Sequence, residues 1–481
     1  MSVISSPSLT RARVGAWPIG LSYLLLYLPA GLAWLLVGSP VASFALAWLG
    51  SWWILGLSTM GKIRPLPGDR SAEYQLFRPL FVVQFIFAGY FCLGSIFHVW
   101  DLLSLSPRNY MPGELQRTAA AQRYLVLGHA AFVHGLLVTM DYRRSGEWSF
   151  QVRMSREMWF LVGGGGAFVL SFLCGQIPGL GQFATKLQMI ALVAVIISLG
   201  YAIREGSRTV ATVSGALYGV LLIGAFLSGW KHQVILAVVP LLFVLYPRYK
   251  RKVIVAGGVL AILFVTVLPA YNAVFRNLSW QRQADAQQAA SEAFEKVTEG
   301  RINIEEVSWS FLSERLTLIE LFTDYIEHTP QENPFYGFAI VKQGMQSIIP
   351  RVLWPSKPNT EKLAMKRVYE NQVVAQYSDV SAKPLVIIDG YLSSGAFGVF
   401  LTCFLFGGVA SIASKYAEIW FGGYSGGGQV IFTSLFGWPL FTPSFEFLFN
   451  TVFWSFVLMA LLAVGLRFLG ILQRGSASAF R

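Results

Sequence analysis

The chain has 481 residues, of which 54% are hydrophobic and only 13% charged. Soluble domains carry about 25% charged residues, so a single soluble core is excluded and an all-α polytopic membrane protein is expected. The formal net charge of +12 raises nucleic acid as a partner, but the placement of the basic residues accounts for it in another way.

Windows of about 20 apolar residues mark membrane spans. They fall near 16–37, 41–60, 79–100, 123–140, 158–177, 184–203, 209–228, 231–247, 252–274, 386–414, 427–446 and 448–470, about twelve in all. Arg11 and Arg13 precede the first run with no cleavable-signal pattern, so it is read as a retained span. Cys92, Cys174 and Cys403 lie in apolar runs and read as small core hydrophobes, not as a disulfide framework or a metal site. Gly163–Gly166 in the fifth span permits close helix approach or a bend.

With the N-terminus in the cytoplasm and the spans alternating, 20 of the 37 Lys and Arg residues fall on inward segments. Among them are Arg64, Arg70, Arg78, Arg144, Lys250, Lys415 and Arg474. The short outward loops hold only Arg108, Arg117, Arg123, Lys186 and Lys231. The basic excess is therefore a topology signal, and the patches lack the clustering of a nucleic-acid face. Three regions follow: spans one to nine over 1–274, a large external loop over 275–385, and spans ten to twelve with a short cytoplasmic tail over 386–481.

The loop is nearly neutral, with 12 basic against 14 acidic residues. Ala284–Gly300 reads as an exposed helix. Glu305–His328 follows with helical periodicity and ends before Pro330. Arg315 sits at the centre of its apolar stripe, among Phe311, Leu312, Leu318, Ile319, Phe322 and Ile326. A cation there must pair, point into a polar cavity or snorkel.

After the turn Asn333-Pro334-Phe335-Tyr336-Gly337 comes Ile349-Pro350-Arg351-Val352-Leu353-Trp354-Pro355-Ser356-Lys357-Pro358. Its three prolines predict a stiff, extended, non-helical strip, and Trp354 is a headgroup-level anchor. Arg351 gives bidentate contacts and Lys357 a point charge, which suits a pyrophosphate or the headgroups of ordinary phospholipid. Lys231 follows a Gly break at a helix start, as an anion site or as an ordinary interfacial lysine.

Asp389, just inside the tenth span, needs a partner. It is expected either to pair with Arg351 or Lys357 or to act as a general base. Glu446, near the outer end of the eleventh span, poses the same question. His328 ends a helix, where capping carbonyls competes with a base role. No phosphate loop, zinc spacing or nucleophile elbow is present.

The turn at 333–337, the block at 349–358 and Asp389-Gly390-Tyr391-Leu392-Ser393-Ser394-Gly395-Ala396-Phe397-Gly398 together resemble the Wzy-type O-antigen polymerases, the oligosaccharide repeat-unit polymerases. Those proteins show a Gly-containing turn, then Ile-Pro-Arg-x-hydrophobic-Trp-Pro-x-Lys-Pro, then a Gly-Glu-x-Tyr-x-x-x-Gly-x-x-Gly pattern opening a span. The closely matched part is about sixty residues. Here Asp389 precedes the Gly of the last pattern, and the family's Ser-Gly-Ser-Arg appears as Ser228-Gly229-Trp230-Lys231.

The resemblance implies a GT-C-like fold in the bacterial inner membrane. It implies a glycosyltransferase that polymerises polyprenyl-pyrophosphate-linked oligosaccharides, for O-antigen or exopolysaccharide, at the outer face. It implies no metal or other cofactor, and a chain-length regulator as a partner. Arg315, Arg351, Lys357 and Lys231 would meet the departing pyrophosphate. Asp389 and Glu314, with His328 behind them, are the candidate bases, and Trp354, Pro355 and Tyr391 support the site. The rival readings are an O-antigen ligase and a flippase of lipid-linked saccharide. The Trp-Pro-x-Lys-Pro block argues against the ligase, and the lack of an internal repeat against the flippase.

Overall fold

The computed structural model describes residues 19–104, 112–228, 231–281, 285–351, 353–376, 383–437 and 444–474. The side chains of Ile19, Pro112, Lys231, His232, Trp280, Gln281, Ala286, Glu314 and Arg315 are excepted. Arg11, Arg13, Arg108, Gly229 and Trp230 lie outside the described residues.

The first part is mostly helical: α1 (Ile19–Leu35), α2 (Pro40–Thr59), α3 (Val82–Ile86), α4 (Ser95–Ser104), α5 (Pro112–Thr139), α6 (Arg156–Gly175), α7 (Gly181–Glu205), α8 (Arg208–Leu227) and α9 (Lys231–Arg276). A π-helical turn, Phe87–Leu93, runs α3 towards α4. The 46 residues of α9 are two helices across a kink at Tyr249 (φ −122, ψ 39), where both spans expected over 231–274 meet. The polar segment carries α10 (Ala286–Thr298), α11 (Ile304–Ser310), α12 (Ile319–His328), α13 (Ala339–Ser347) and α14 (Thr360–Glu370). Asp285, Asn303 and Asn359 cap α10, α11 and α14 by accepting from backbone N–H groups of the first turn.

The last part holds α15 (Val386–Trp420), α16 (Gln429–Phe432) between two π-helical turns, and α17 (Phe445–Phe468). Two short strands, β1 (Trp148–Phe150) and β2 (Leu472–Arg474), pair antiparallel and tie the 141–152 loop to the end of α17. Eight helices among the described residues are long and apolar enough to cross a membrane, and α1 is a shorter apolar helix. The protein is a helical membrane protein.

Three expectations change. The helix expected over Glu305–His328 is broken: a π-helical segment, Phe311–Arg315, follows α11, and α12 restarts at Ile319. The Thr317 hydroxyl accepts from Ile319 N at 3.2 Å, which gives the backbone a local alternative to helix. The expected span at 427–446 is α16 and its flanking π-helical turns, so Glu446 opens α17 and does not close the helix before it.

The third change concerns α15. At Ser394 (φ −165, ψ 39) and Gly395 (φ 62, ψ −136) its backbone leaves the helix. Gly390 and Gly398 would stand about 12 Å apart along a straight helix, yet a Cβ on Gly398 would lie 1.9 Å from the Gly390 carbonyl oxygen. The first limb, residues 386–393, is therefore folded back against the second, residues 396–420. The apolar helix expected as the tenth span, Val386–Trp420, is thus bent at Gly395 and not straight.

The core lies where the second limb crosses α5. A Cβ on Gly135 would meet the Phe404 carbonyl oxygen at 1.9 Å, and one on Gly407 the Phe132 carbonyl oxygen at 2.0 Å. Only glycine permits this backbone contact, the usual small-residue packing of membrane helices. Within 163–166, Gly164 alone approaches a neighbour, the Ala191 carbonyl and Ala194 side chain of α7.

The long-range ion pairs among the described residues fall into two sets. Arg78–Glu418, Lys250–Glu73, Lys415–Asp141 and Arg474–Glu147 join residues assigned to the inward side. Arg117–Glu327, Arg367–Asp389 and Arg367–Glu446 join residues assigned to the outward side. Arg117, Arg123 and Lys186, all placed in outward loops, lie inside helices. Arg123 on α5 donates to Ser43 Oγ (2.9 Å), and Lys186 on α7 donates to Ser455 Oγ (2.8 Å).

Candidate active site

Asp389 lies on the folded-back limb, whose residues Val386–Ser393 are all buried. Its partner is neither Arg351 nor Lys357 but Arg367 of α14. The Arg367 guanidinium is 2% exposed and both its carboxylates 0%. It donates from Nη1 to Glu446 Oε1 (2.7 Å) and from Nη2 to Glu446 Oε2 (3.0 Å), a bidentate pair. Nη2 also donates to Asp389 Oδ2 (3.2 Å), and Nε stands 3.1 Å from Oδ1 as an ion pair.

The Phe445 backbone N–H completes Asp389 with a bond of 2.8 Å to Oδ2, and Gln343 Oε1 of α13 accepts from Arg367 Nη1 at 3.0 Å. Burial works against the Arg367 charge, but the Asp389 and Glu446 carboxylates outweigh it and hold the guanidinium above its ordinary value. Burial, then the Asp389 charge, keeps the Tyr325 hydroxyl of α12 protonated. The external segment is thus clamped onto the starts of α15 and α17 by one buried cation and two carboxylates.

The turn at 333–337 docks on the bend in α15. Tyr336 N donates to Leu392 O (2.9 Å) and Gly337 N to Ser393 O (3.0 Å), two carbonyls that the bend frees from helical bonding. A Cβ on Gly395, whose φ is +62, would stand 3.2 Å from the Phe335 ring. Tyr391 donates from its hydroxyl to Thr329 O (2.7 Å) and packs its ring against Tyr124, Phe322 and Phe335. Two of the sequence motifs therefore form one structural unit.

The block at 350–358 is non-helical, as its prolines require, but turned, not extended. Leu353 N and Trp354 N both donate to Pro350 O, and Lys357 N donates to Trp354 O (3.1 Å). Pro355 takes the second position of that last turn, where its fixed φ fits. Trp354 Nε1 donates to Ser356 Oγ (3.1 Å).

Arg351 and Lys357 meet: Arg351 Nη1 donates to Lys357 O (3.1 Å). Lys357 Nζ donates to Ser347 O (2.6 Å) and Ile349 O (2.8 Å), closing the C-terminal end of α13. Burial, then the Arg351 charge, holds the Lys357 ammonium below its ordinary value. Ser347 Oγ donates to Glu446 O (2.6 Å). Helix α13 thus touches the buried cluster through Gln343 and the cationic turn through Ser347.

His328 caps: its Nδ1 is 2.9 Å from Asp324 O, four residues back. Lys231 opens α9, and its side chain, like those of Glu314 and Arg315, lies outside the described ones. Arg367 went unread in the sequence although it carries the signal found for Arg315. It shares a helical face with Leu363 and buried Ala364, four and three residues back, a cation on an apolar stripe.

Among curated proteins and among solved structures, no match to the chain is found. A family model, described as a domain of unknown function (DUF8712), matches residues 28–474, which takes in every element of the site. The chain belongs to that family.

Proposed function

We propose that the protein is a glycosyltransferase that polymerises polyprenyl-pyrophosphate-linked oligosaccharide repeat units. The proposed place is the outer face of a bacterial inner membrane, with both termini cytoplasmic by the positive-inside rule. The observation that carries the reading is the link made by α13. It joins the exposed Arg351 and its neighbour Lys357 to the buried Arg367–Asp389–Glu446 cluster, so the cations are held on a clamped support.

In the reaction, an acceptor hydroxyl oxygen attacks the anomeric carbon of the donor sugar. The bond from that carbon to the diphosphate oxygen breaks, and its electron pair leaves with the polyprenyl diphosphate. The hydroxyl proton passes to a base. Arg351 and Lys357 stabilise the departing diphosphate. Asp389 is fully buried and bonded, so it is a positioning residue in this arrangement, and His328 is engaged with Asp324. Glu314 is the base to test first.

The test is polymer length from synthetic lipid-linked repeat units and purified protein in detergent, where no compartments exist. Arg351→Ala should abolish long chains while the protein remains folded, and Glu314→Gln should slow the reaction at unchanged donor binding. Polymer of ordinary length from Arg351→Ala would remove that residue from the mechanism. A bent helix beside a buried charge cluster also fits a carrier of the same lipid. Failure to polymerise in detergent, together with movement of lipid-linked saccharide across vesicles, would favour that second reading.

A further inference from the structure

We infer that residues 338–351 and Leu353, the stretch carrying α13, are not held in the external solvent but lie in the outer leaflet, at the boundary between headgroups and acyl chains. The inference does not depend on the catalytic reading.

The depth of α13 is set by its partner, α17. Ser347 O accepts from Asn450 Nδ2 (2.7 Å), and Ile348 O accepts from Trp454 Nε1 (3.1 Å). Gly344 packs so closely that a Cβ there would meet Phe449 Cδ2 at 3.0 Å and Phe445 Cβ at 3.2 Å. The C-terminal half of α13 is therefore level with Phe445–Trp454. At the far end of α17, Arg467 stacks over the Trp148 ring at 3.8 Å, marking the opposite interface. A hydrocarbon layer of about 30 Å needs about 20 helical residues, and counting back from Arg467 reaches the neighbourhood of Leu448. The carbonyls of Ser347 and Ile348 thus sit at the upper edge of the hydrocarbon.

The chemistry of the outward face agrees. Ile340, Gly344 and Ser347 are buried, whereas Phe338, Lys342, Met345 and Ile349 recur on the open side at helical spacing. Phe338 is 68% exposed, Met345 55% and Leu353 77%. A row of large apolar side chains with one lysine long enough to snorkel suits an interfacial helix. Arg351 and half-buried Trp354 follow at the level where headgroup phosphates lie. The occupant is the acyl-chain boundary of the bilayer, and the anionic groups that reach Arg351 are those of lipids already in that leaflet.

The experiment uses the full-length protein with Cys174→Ser, since Cys92 and Cys403 are fully buried. Nitroxide labels at Met345→Cys and, separately, Leu353→Cys are compared in vesicles of phosphatidylethanolamine and phosphatidylglycerol. Collision with molecular oxygen, which concentrates in acyl chains, is measured against collision with a water-soluble nickel chelate. Phe453→Cys on α17 is the lipid reference, and Glu332→Cys the aqueous one. The oxygen-to-nickel ratio at both test sites should exceed that at Glu332 severalfold and approach that at Phe453. A ratio like that at Glu332 overturns the inference. Low collision with both probes overturns it too, because another protein surface would then cover the face. The Leu353 label lies in a turn outside any helix, so the answer survives if the Met345 variant misfolds.

Discussion

Replacing Arg367 with methionine isolates what the buried clamp contributes. The guanidinium is 2% exposed and, among the described residues, makes the ion pairs of two carboxylates that are both 0% exposed. Without it, Asp389 keeps the Phe445 N–H among the described residues, and Glu446 loses both of its bonds to Arg367. Removing one partner of a buried pair costs roughly 3–5 kcal/mol, because the remaining charge stays in a low-dielectric site. Here two carboxylates remain, facing each other, so the upper part of that range applies. The readout is melting of purified protein, followed by size-exclusion fluorescence, with a midpoint lower by on the order of 5–10 °C. Combining Arg367→Met with Asp389→Asn and Glu446→Gln removes the stranded charges and should recover most of the loss. A single variant melting within about 2 °C of the parent would refute the reasoning, as would a triple variant no better than the single one.

Three further outcomes follow from the same geometry. Gly398→Ala should prevent folding of the bend, since its Cβ would stand 1.9 Å from the Gly390 carbonyl oxygen, whereas Gly163→Ala, with nothing within 4 Å, should be neutral; yields of monodisperse protein compare the two. Gly395→Ala should cost about 1–2 kcal/mol through its left-handed φ of 62, read as a lower melting point. Asp324 on α12 is pushed up to about 6, by burial first and then by the Glu327 charge. A carboxyl raised on folding contributes stability that is complete below its unfolded value near 4 and lost as pH rises through about 6. Asp324→Asn should therefore leave melting unchanged below about pH 4. Above pH 6 it should raise stability by on the order of 1 kcal/mol at this half-buried site. Equal effects at both pH values would contradict that account.

The membrane character, the predominance of long apolar helices and the break after His328 were legible in the sequence because each follows from local composition. A run of 20 apolar residues has one low-energy environment, and Pro330 in a polar segment cannot continue the helix that ends at His328. The pairing of Arg78 with Glu418, 340 positions apart, agrees with a sequence reading that puts both on the same set of loops.

What only the tertiary structure decided is which charge meets which. Asp389 needed a cation, and the sequence offered Arg351 and Lys357 as the nearest motif residues. The chain supplies Arg367 instead, because the limb holding Asp389 folds back at Gly395 and brings it beneath α14 and the start of α17. Likewise the prolines of 350–358 foretold a non-helical strip but not its turns, which depend on Ser347 and Ile349 carbonyls capturing Lys357. Propensity acts within a few residues, whereas a buried ion pair is chosen by whatever backbone path brings opposite charges together away from water. That path is set here by glycines whose missing side chains let helices touch, a property visible only once the partners of Gly135, Gly398 and Gly407 are known.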